Sequence, residues 1–281
     1  MAAPAIAAQA PRGGAGAATS RRQAIGIVHV HSAYSHDGRD PLDRLRDRAR
    51  ALGIRFVALT DHAEDFDHDR FERFRAECAA RSDATVSLIP GLEFRFAGYR
   101  GLHLLACGLE RWVSPETPEA FIADVTPVAA LTVMAHPVLA SYRPPAAVRA
   151  GIGAIEVWNA AYNTRYLPDP RAMALLRDIR ATRPAVVAVA GLDQHDAAND
   201  RRTRIVLQHE DDLADPLAAM RAARFTNRGL TMSFGARVDW PAAGLATLAA
   251  ARAVLDGIEQ TQERVTRAWR RRARPTPPLG R

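Results

Sequence analysis

The sequence predicts an α/β fold in which parallel strands close, or nearly close, into a barrel. Three observations predict it. Short apolar runs alternate with amphipathic stretches of helical period. The runs are continuously apolar, as in strands covered on both faces. Six or more such units fit within 281 residues of 48% hydrophobic content, enough for one barrel of roughly 250 residues.

Taken in order, "AIGIVHV" (24–30) reads as the first strand. "DPLDRLRDRARALG" (40–53) reads as a helix, with Asp40 as N-cap, Pro41 in the first turn and Gly53 as the stop. A strand at 54–60 and a helix at 67–82 follow. Residues 84–98 and 101–109 read as extended segments joined by the turn Gly98-Tyr99-Arg100-Gly101. Further strands are expected at 131–137, 153–159, 185–193 and 204–208, and helices at 169–183 and 211–225. Strands alternating with helices imply parallel pairing through right-handed crossovers. A last helix spans about 240–272, where Leu245, Leu248, Ala251 and Leu255 recur at helical spacing and are expected to cover the barrel. Residues 1–22 and 273–281 read as disordered tails flanking a single domain at 23–272.

The formal charge of +7 belongs to the ends. Residues 1–22 hold three arginines and no acid, and residues 261–281 hold seven arginines against Glu263, so the body between is close to neutral. The arginine-rich C-terminus leaves contact with nucleic acid open, but a near-neutral body disfavours an extended nucleic-acid groove. No run approaches the roughly 18–20 apolar residues of a membrane span. Only two cysteines occur, Cys78 and Cys107, without metal-site spacing, which points to a reducing, cytoplasmic compartment. Nothing in the sequence points to an oligomeric state.

In α/β barrels the chemistry sits at the C-terminal ends of the strands. Here those ends carry His29 and His31, Asp61 and His62, Glu93, His103, His136, and Asp193 with His195. Six of the nine histidines thus fall on one rim. Residues two apart on a strand point the same way, so His29 and His31 can grip one ion together. Imidazole with carboxylate suits Zn, Mn, Fe or Co and disfavours an all-oxygen Mg or Ca site. With Asp37 added and Asp61 left aside, the set has nine donors, more than one tetrahedral ion needs and enough for two or three. Three divalent ions against three carboxylates leave a positive centre that wants an anion, and phosphate fits best.

Two barrel families of metal hydrolases begin with H-x-H. One often bridges its metals with a carbamylated lysine, and this chain contains no lysine. The other is the PHP (polymerase and histidinol phosphatase) family, which the sequence resembles across residues 25–195. "HVHSAYSHDG", "LTDH", "PGLEF" with "HLLACG", "AHP" and "GLDQH" resemble its successive motifs, although "SHDG" is one residue longer than the commoner form. The resemblance implies a distorted (β/α)7 barrel with two to three divalent transition-metal ions (Zn, Mn or Fe). Carried over, His29, His31, Glu93 and Asp193 hold the first metal. Glu93 bridges to a second, completed by His103 and His136. Asp37, His62 and His195 hold the third, with His36 a lesser alternative to Asp37. His68 and His209 match no motif and read as surface residues.

The expected reaction is hydrolysis of a small phosphate ester or nucleotide by a metal-activated water, without a protein nucleophile. Histidinol-phosphate phosphatase, and a silent module that binds a partner, are the alternatives. Asp61 is expected to orient a ligand histidine or to cap a helix. "VWNAAYNTRY" (157–166) should overhang the site, making Trp158, Asn159, Tyr162 and Arg165 candidates for the group attached to phosphate. One of Arg201, Arg202 and Arg204 is expected to clamp the phosphate.

Overall fold

The computed structural model describes residues 24–162, 166–200 and 202–272. The fold is mixed α/β. Its strands are β1 (Ile25–Val30), β2 (Phe56–Leu59), β3 (Asp61–His62), β4 (Ser87–Ile89), β5 (Gly91–Arg95), β6 (His103–Leu109), β7 (Ala129–Met134), β8 (Ala154–Asn159), β9 (Val187–Gly191), β10 (Arg204–Leu207), β11 (Phe225–Arg228) and β12 (Ser233–Gly235). The α-helices are α1 (Leu42–Ala51), α2 (His68–Arg81), α3 (Pro118–Ala120), α4 (Ala146–Gly151), α5 (Pro170–Arg180), α6 (Pro216–Arg221) and α7 (Ala242–Arg272).

Two six-stranded sheets result, ordered β12-β11-β10-β1-β2-β4 and β3-β5-β6-β7-β8-β9. They share chain segments. Thr60 alone joins β2 to β3, and Pro90 alone joins β4 to β5, because a proline cannot donate to a ladder. On the other side the segment after β9 runs beside β1. Leu192 N–H donates to Val28 O, Gln194 N–H to His29 O, and His31 N–H to Gln194 O.

Pairing is parallel for β1/β2, β2/β4, β3/β5, β7/β8 and β8/β9. The expectation of parallel pairing throughout does not hold. β6 is antiparallel to both β5 and β7, and β10 is antiparallel to β1. The cause is local: β5 and β6 are joined by a short turn, too short for the crossover a parallel pair needs.

The helices bury the stripes their sequences carry. Leu42, Leu45 and Ala49 of α1 and Phe71, Phe74 and Cys78 of α2 lie in the core. Asp67 caps α2 by accepting the Arg70 N–H at 2.7 Å. Asp169 caps α5 in the same way. Each buried leucine or phenylalanine contributes about 1.5–3 kcal/mol. Asp40, expected as the N-cap of α1, instead accepts the Ala197 N–H and pairs with Arg44, leaving α1 without a side-chain cap.

The single helix expected over 211–225 is broken. Pro216 starts α6 with Asp215 as its cap, and Ala223, at φ 62°, ends it ahead of β11. On α7, Leu245 and Leu248 are buried as expected, but Ala251 is exposed and Leu255 only half-buried. Arg252 takes the inner face there and pairs with Asp169 at 3.5 Å. The two terminal segments read as tails lie outside the described residues.

Candidate metal centre

The centre forms where β1 ends. The register between β1 and β2 slips at Val28/Val30, so His29 is a bulge residue, held at φ 65°. His31 lies just beyond the strand. Strand alternation is therefore not what brings the two rings together; the bulge re-aims His29. His136 (φ 23°) and Asp193 (φ 49°) share the left-handed backbone. Non-glycine residues there cost about 1–3 kcal/mol each and cluster where a site demands them.

Glu93 lies at the middle. Its Oε2 is 3.7 Å from His29 Nε2, 3.4 Å from His31 Nε2 and 3.2 Å from His62 Nδ1. Its Oε1 is 2.7 Å from His103 Nδ1 and 3.3 Å from His136 Nε2. Asp193 Oδ1 faces His29 and His31, each at 3.3 Å. Asp37 Oδ2 faces His62 Nε2 at 3.1 Å and His195 Nε2 at 3.2 Å. All nine expected donors therefore converge.

Three donor sets emerge, His31–Asp37–His62–His195, His29–Glu93–His136 and His29–His31–Asp193. Four details differ from the carried-over assignment. His31 also belongs with the Asp37 group, His29 also joins Glu93 and His136, Glu93 is absent from the His29–His31–Asp193 set, and His103 stands outside the three sets, bonded to Glu93.

A carboxylate that sequence reasoning passed over supports the centre from behind. Glu156, fully buried on β8, binds His29 Nδ1 at 2.8 Å. It also accepts the His136 N–H and the Asn159 side-chain amide, both at 2.8 Å. This fixes the His29 ring so that Nε2 points into the centre. The signal was present: a glutamate inside the otherwise apolar "GAIEVWN". Its room comes from Gly191, where a Cβ would stand 1.6 Å from Glu156 Oε1.

Asp61 has neither of its expected roles. Its carboxylate accepts from the N–H and Oγ of both Ser32 and Ser35, at 2.7–3.1 Å. It thus ties down the loop that carries Asp37, and Ser35 Oγ in turn accepts the His62 N–H at 2.9 Å. Burial pushes the Asp61 carboxyl up to about 6 against the pull of those hydrogen bonds.

The electrostatics call for a cation. Burial disfavours the charge of Glu93, yet His29, His103 and His136 hold its carboxyl well below the usual range. Burial likewise opposes charge on His29, and Glu156, Asp193 and Glu93 overcome it, raising the ring well above its ordinary value. Burial takes His31 down to about 4. His29 Nε2, His31 Nε2 and His136 Nδ1 are buried with no hydrogen-bond partner among the described residues. Orphaned imidazole nitrogens beside clustered carboxylates fit a transition-metal ion.

Other expected residues lie elsewhere. Trp158 is fully buried, stacked 6.2 Å from Phe234, and Asn159 is buried on Glu156, so neither faces a substrate. Tyr162 is at the centre, its ring 4.7 Å from that of His136. Arg204 is paired to Asp200, and Arg202 is exposed. Arg165 and Arg201 lie outside the described residues. His36 is bound to Asp65, while His68 and His209 are exposed, as expected. Both cysteines are buried thiols. Two arginines at the rim were missed: Arg39, in an open cleft of ≈ 390 Å³ with Asp37, Tyr162, Asp193 and His195, and Arg95, against His62.

Comparison with known proteins matches residues 28–144 to the PHP domain. This part of the chain is a PHP domain. The match spans the donors from His29 to His136; Asp193 and His195 lie beyond it and are joined to it by geometry. Among solved structures, a two-domain protein from Bacteroides vulgatus containing a predicted PHP-like metal-dependent phosphoesterase shares the fold, with TM-score 0.53 and 18% identity over 74% of this chain and 66% of that one. The chain thus spans just under two thirds of that protein. Weaker likenesses are a putative metal-dependent phosphoesterase from Bifidobacterium adolescentis (TM-score 0.45, 16% identity, 62% of this chain and 88% of that one) and PsfC from Pseudomonas syringae (0.48, 15%, 83% and 97%). No curated protein matches the chain. No helix among the described residues is long and apolar enough to cross a membrane.

Proposed function

We propose that the chain is a metal-dependent phosphoesterase that hydrolyses a small phosphomonoester or nucleotide. One observation carries this reading: six histidines converge with Asp37, Glu93 and Asp193, backed by the buried carboxylate of Glu156. The two sheets are read as one distorted seven-stranded barrel. The shared segments at Thr60 and Pro90 and the Leu192–Gln194 ladder beside β1 support this.

His29, His31, Glu93 and Asp193 would hold a first ion, Glu93, His103 and His136 a second, and Asp37, His62 and His195 a third, with Zn, Mn or Fe suited to the donors. Such ions supply a lowered pKa for a water and neutralise charge on the phosphoryl oxygens. The chain's own part is positioning. Glu156 fixes the His29 ring, and Asp61 holds the Ser32–Asp37 loop. Tyr162 lines the cleft wall. Its ring lies 4.7 Å from that of His136, so its phenol is placed to donate to the leaving oxygen. No side-chain nucleophile is called for: Ser32 and Ser35 are bound to Asp61, and the cysteines are buried.

The test is a panel of phosphomonoesters and diesters offered to the full chain reconstituted with Mn, Zn or Fe. Phosphate release that chelation abolishes and metal restores is expected. A trapped phospho-enzyme, or no release from any ester by protein carrying two or three ions, overturns the reading.

A further inference from the structure

Arg95 stands two positions after Glu93 on β5, so the two side chains leave the same face of the strand. It pairs across the sheet with His103. Its Nη2 stands 3.1 Å from Nε2 and 3.3 Å from Nδ1 of His62. Near-equal distances to both ring nitrogens place the guanidinium against the imidazole, not on one lone pair. Those two nitrogens are turned elsewhere, Nε2 to Asp37 and Nδ1 to Glu93. The contact engages Nη2 alone and therefore spends little of the hydrogen-bonding capacity of Arg95.

Its remaining tie is light. Nη1 is 3.3 Å from Glu64 Oε1, and both side chains are 43% exposed. An ion pair that open to water contributes at most about 1 kcal/mol, so it yields readily to a competing anion. Arg39 lines the open cleft, but its side chain is 76% exposed and tied to Asp196 at 3.4 Å. Among the described residues, Arg95 is the arginine whose guanidinium touches a donor side chain, and its planar fork matches two oxygens of a tetrahedral anion.

We propose that Arg95, held against His62, is the residue that grips two non-bridging oxygens of the substrate and so selects an anionic tetrahedral ester over a neutral one. This rests on the phosphoesterase reading for its substrate, but its test does not depend on turnover. The probe is inorganic phosphate, titrated calorimetrically into the full chain reconstituted with Mn or Zn. Arg95→Gln weakens phosphate binding at least about tenfold, with metal per chain and Tm unchanged. Arg95→Lys restores part of the affinity, because it keeps the charge but loses the fork. Arg75→Gln removes one positive charge from α2, where Arg75 pairs with Glu72, and binds phosphate as the parent does.

Undiminished phosphate binding by Arg95→Gln overturns the assignment, as does absence of phosphate binding by the parent. Loss of metal in step with loss of phosphate also overturns it, since Arg95 would then be a prop for His62. If phosphate binds through Arg95 but no phosphate ester is cleaved, the phosphoesterase reading falls and the role of Arg95 stands.

Discussion

The two halves of the centre are built differently. The inner half, His29, Glu93 and His136, is at most 1% exposed and rests on Glu156. The outer half leans on Asp37 and His195, whose side chains are 38% and 32% exposed. An unpartnered buried nitrogen costs about 1–3 kcal/mol, and the inner half contains such atoms in His29 and His136. Asp37 and His195 are open to water, while His31 and His62 are as buried as the inner donors. On the proposed function, an ion held by the inner half should be coupled to the fold and one held through Asp37 and His195 should exchange more readily.

The sharpest break in that contrast is Glu93→Ala. It touches both halves, and it should cost more metal than any other single change, with activity falling by more than the roughly 10–100-fold that loss of a supporting partner costs. Elemental analysis and phosphate release measure it; retention of all ions would show that Glu93 does not bridge. Stripping metal from the parent should lower Tm by roughly 10 °C, since a ligand at about 1,000 times its Kd adds about 4 kcal/mol to a domain of this size.

Next is Glu156→Gln, which lies behind the donors and acts through His29, His136 and Asn159. It should weaken metal affinity by roughly 10–100-fold, with inner ions lost first. Equal loss from both halves would remove the distinction. Asp37→Asn should do the converse, releasing about one ion per chain while Tm barely moves. The smallest effect is expected from removing residues 1–22. Every donor lies between His29 and His195, so metal content and activity should match those of the full chain.

Most donors were legible because they interrupt or end an apolar run at the same rim, as in "GIVHVH" and "VMAHP"; His103 instead starts its strand, which reaches the rim because β6 runs antiparallel to β5, and Asp37 lies in a loop. Strand pattern places such residues without tertiary information. Glu156 was missed because it sits mid-strand, where the pattern says only that the run is buried. Only the fold shows that His29, 127 positions away, pairs with it. Asp40 read as a cap because Asp-Pro before a helical pattern has that local meaning, and the distant Ala197 N–H outcompeted it. The β11–β12 hairpin went unread because "FTNR" carries little apolar signal. Asp61 was placed correctly, but its partners were set by a loop folded back onto it. Gly38 closes that loop, its Cα so near Ser32 O that a Cβ would stand 1.9 Å away.

Gly191 carries a further consequence. It binds no ion and faces no substrate, yet any side chain there must displace Glu156, and with it the orientation of His29. Mutational tolerance at this codon should thus resemble that of a donor: a saturation library selected for metal retention should return glycine alone. A chain of this kind could then be screened for a dead centre by one residue that performs no chemistry.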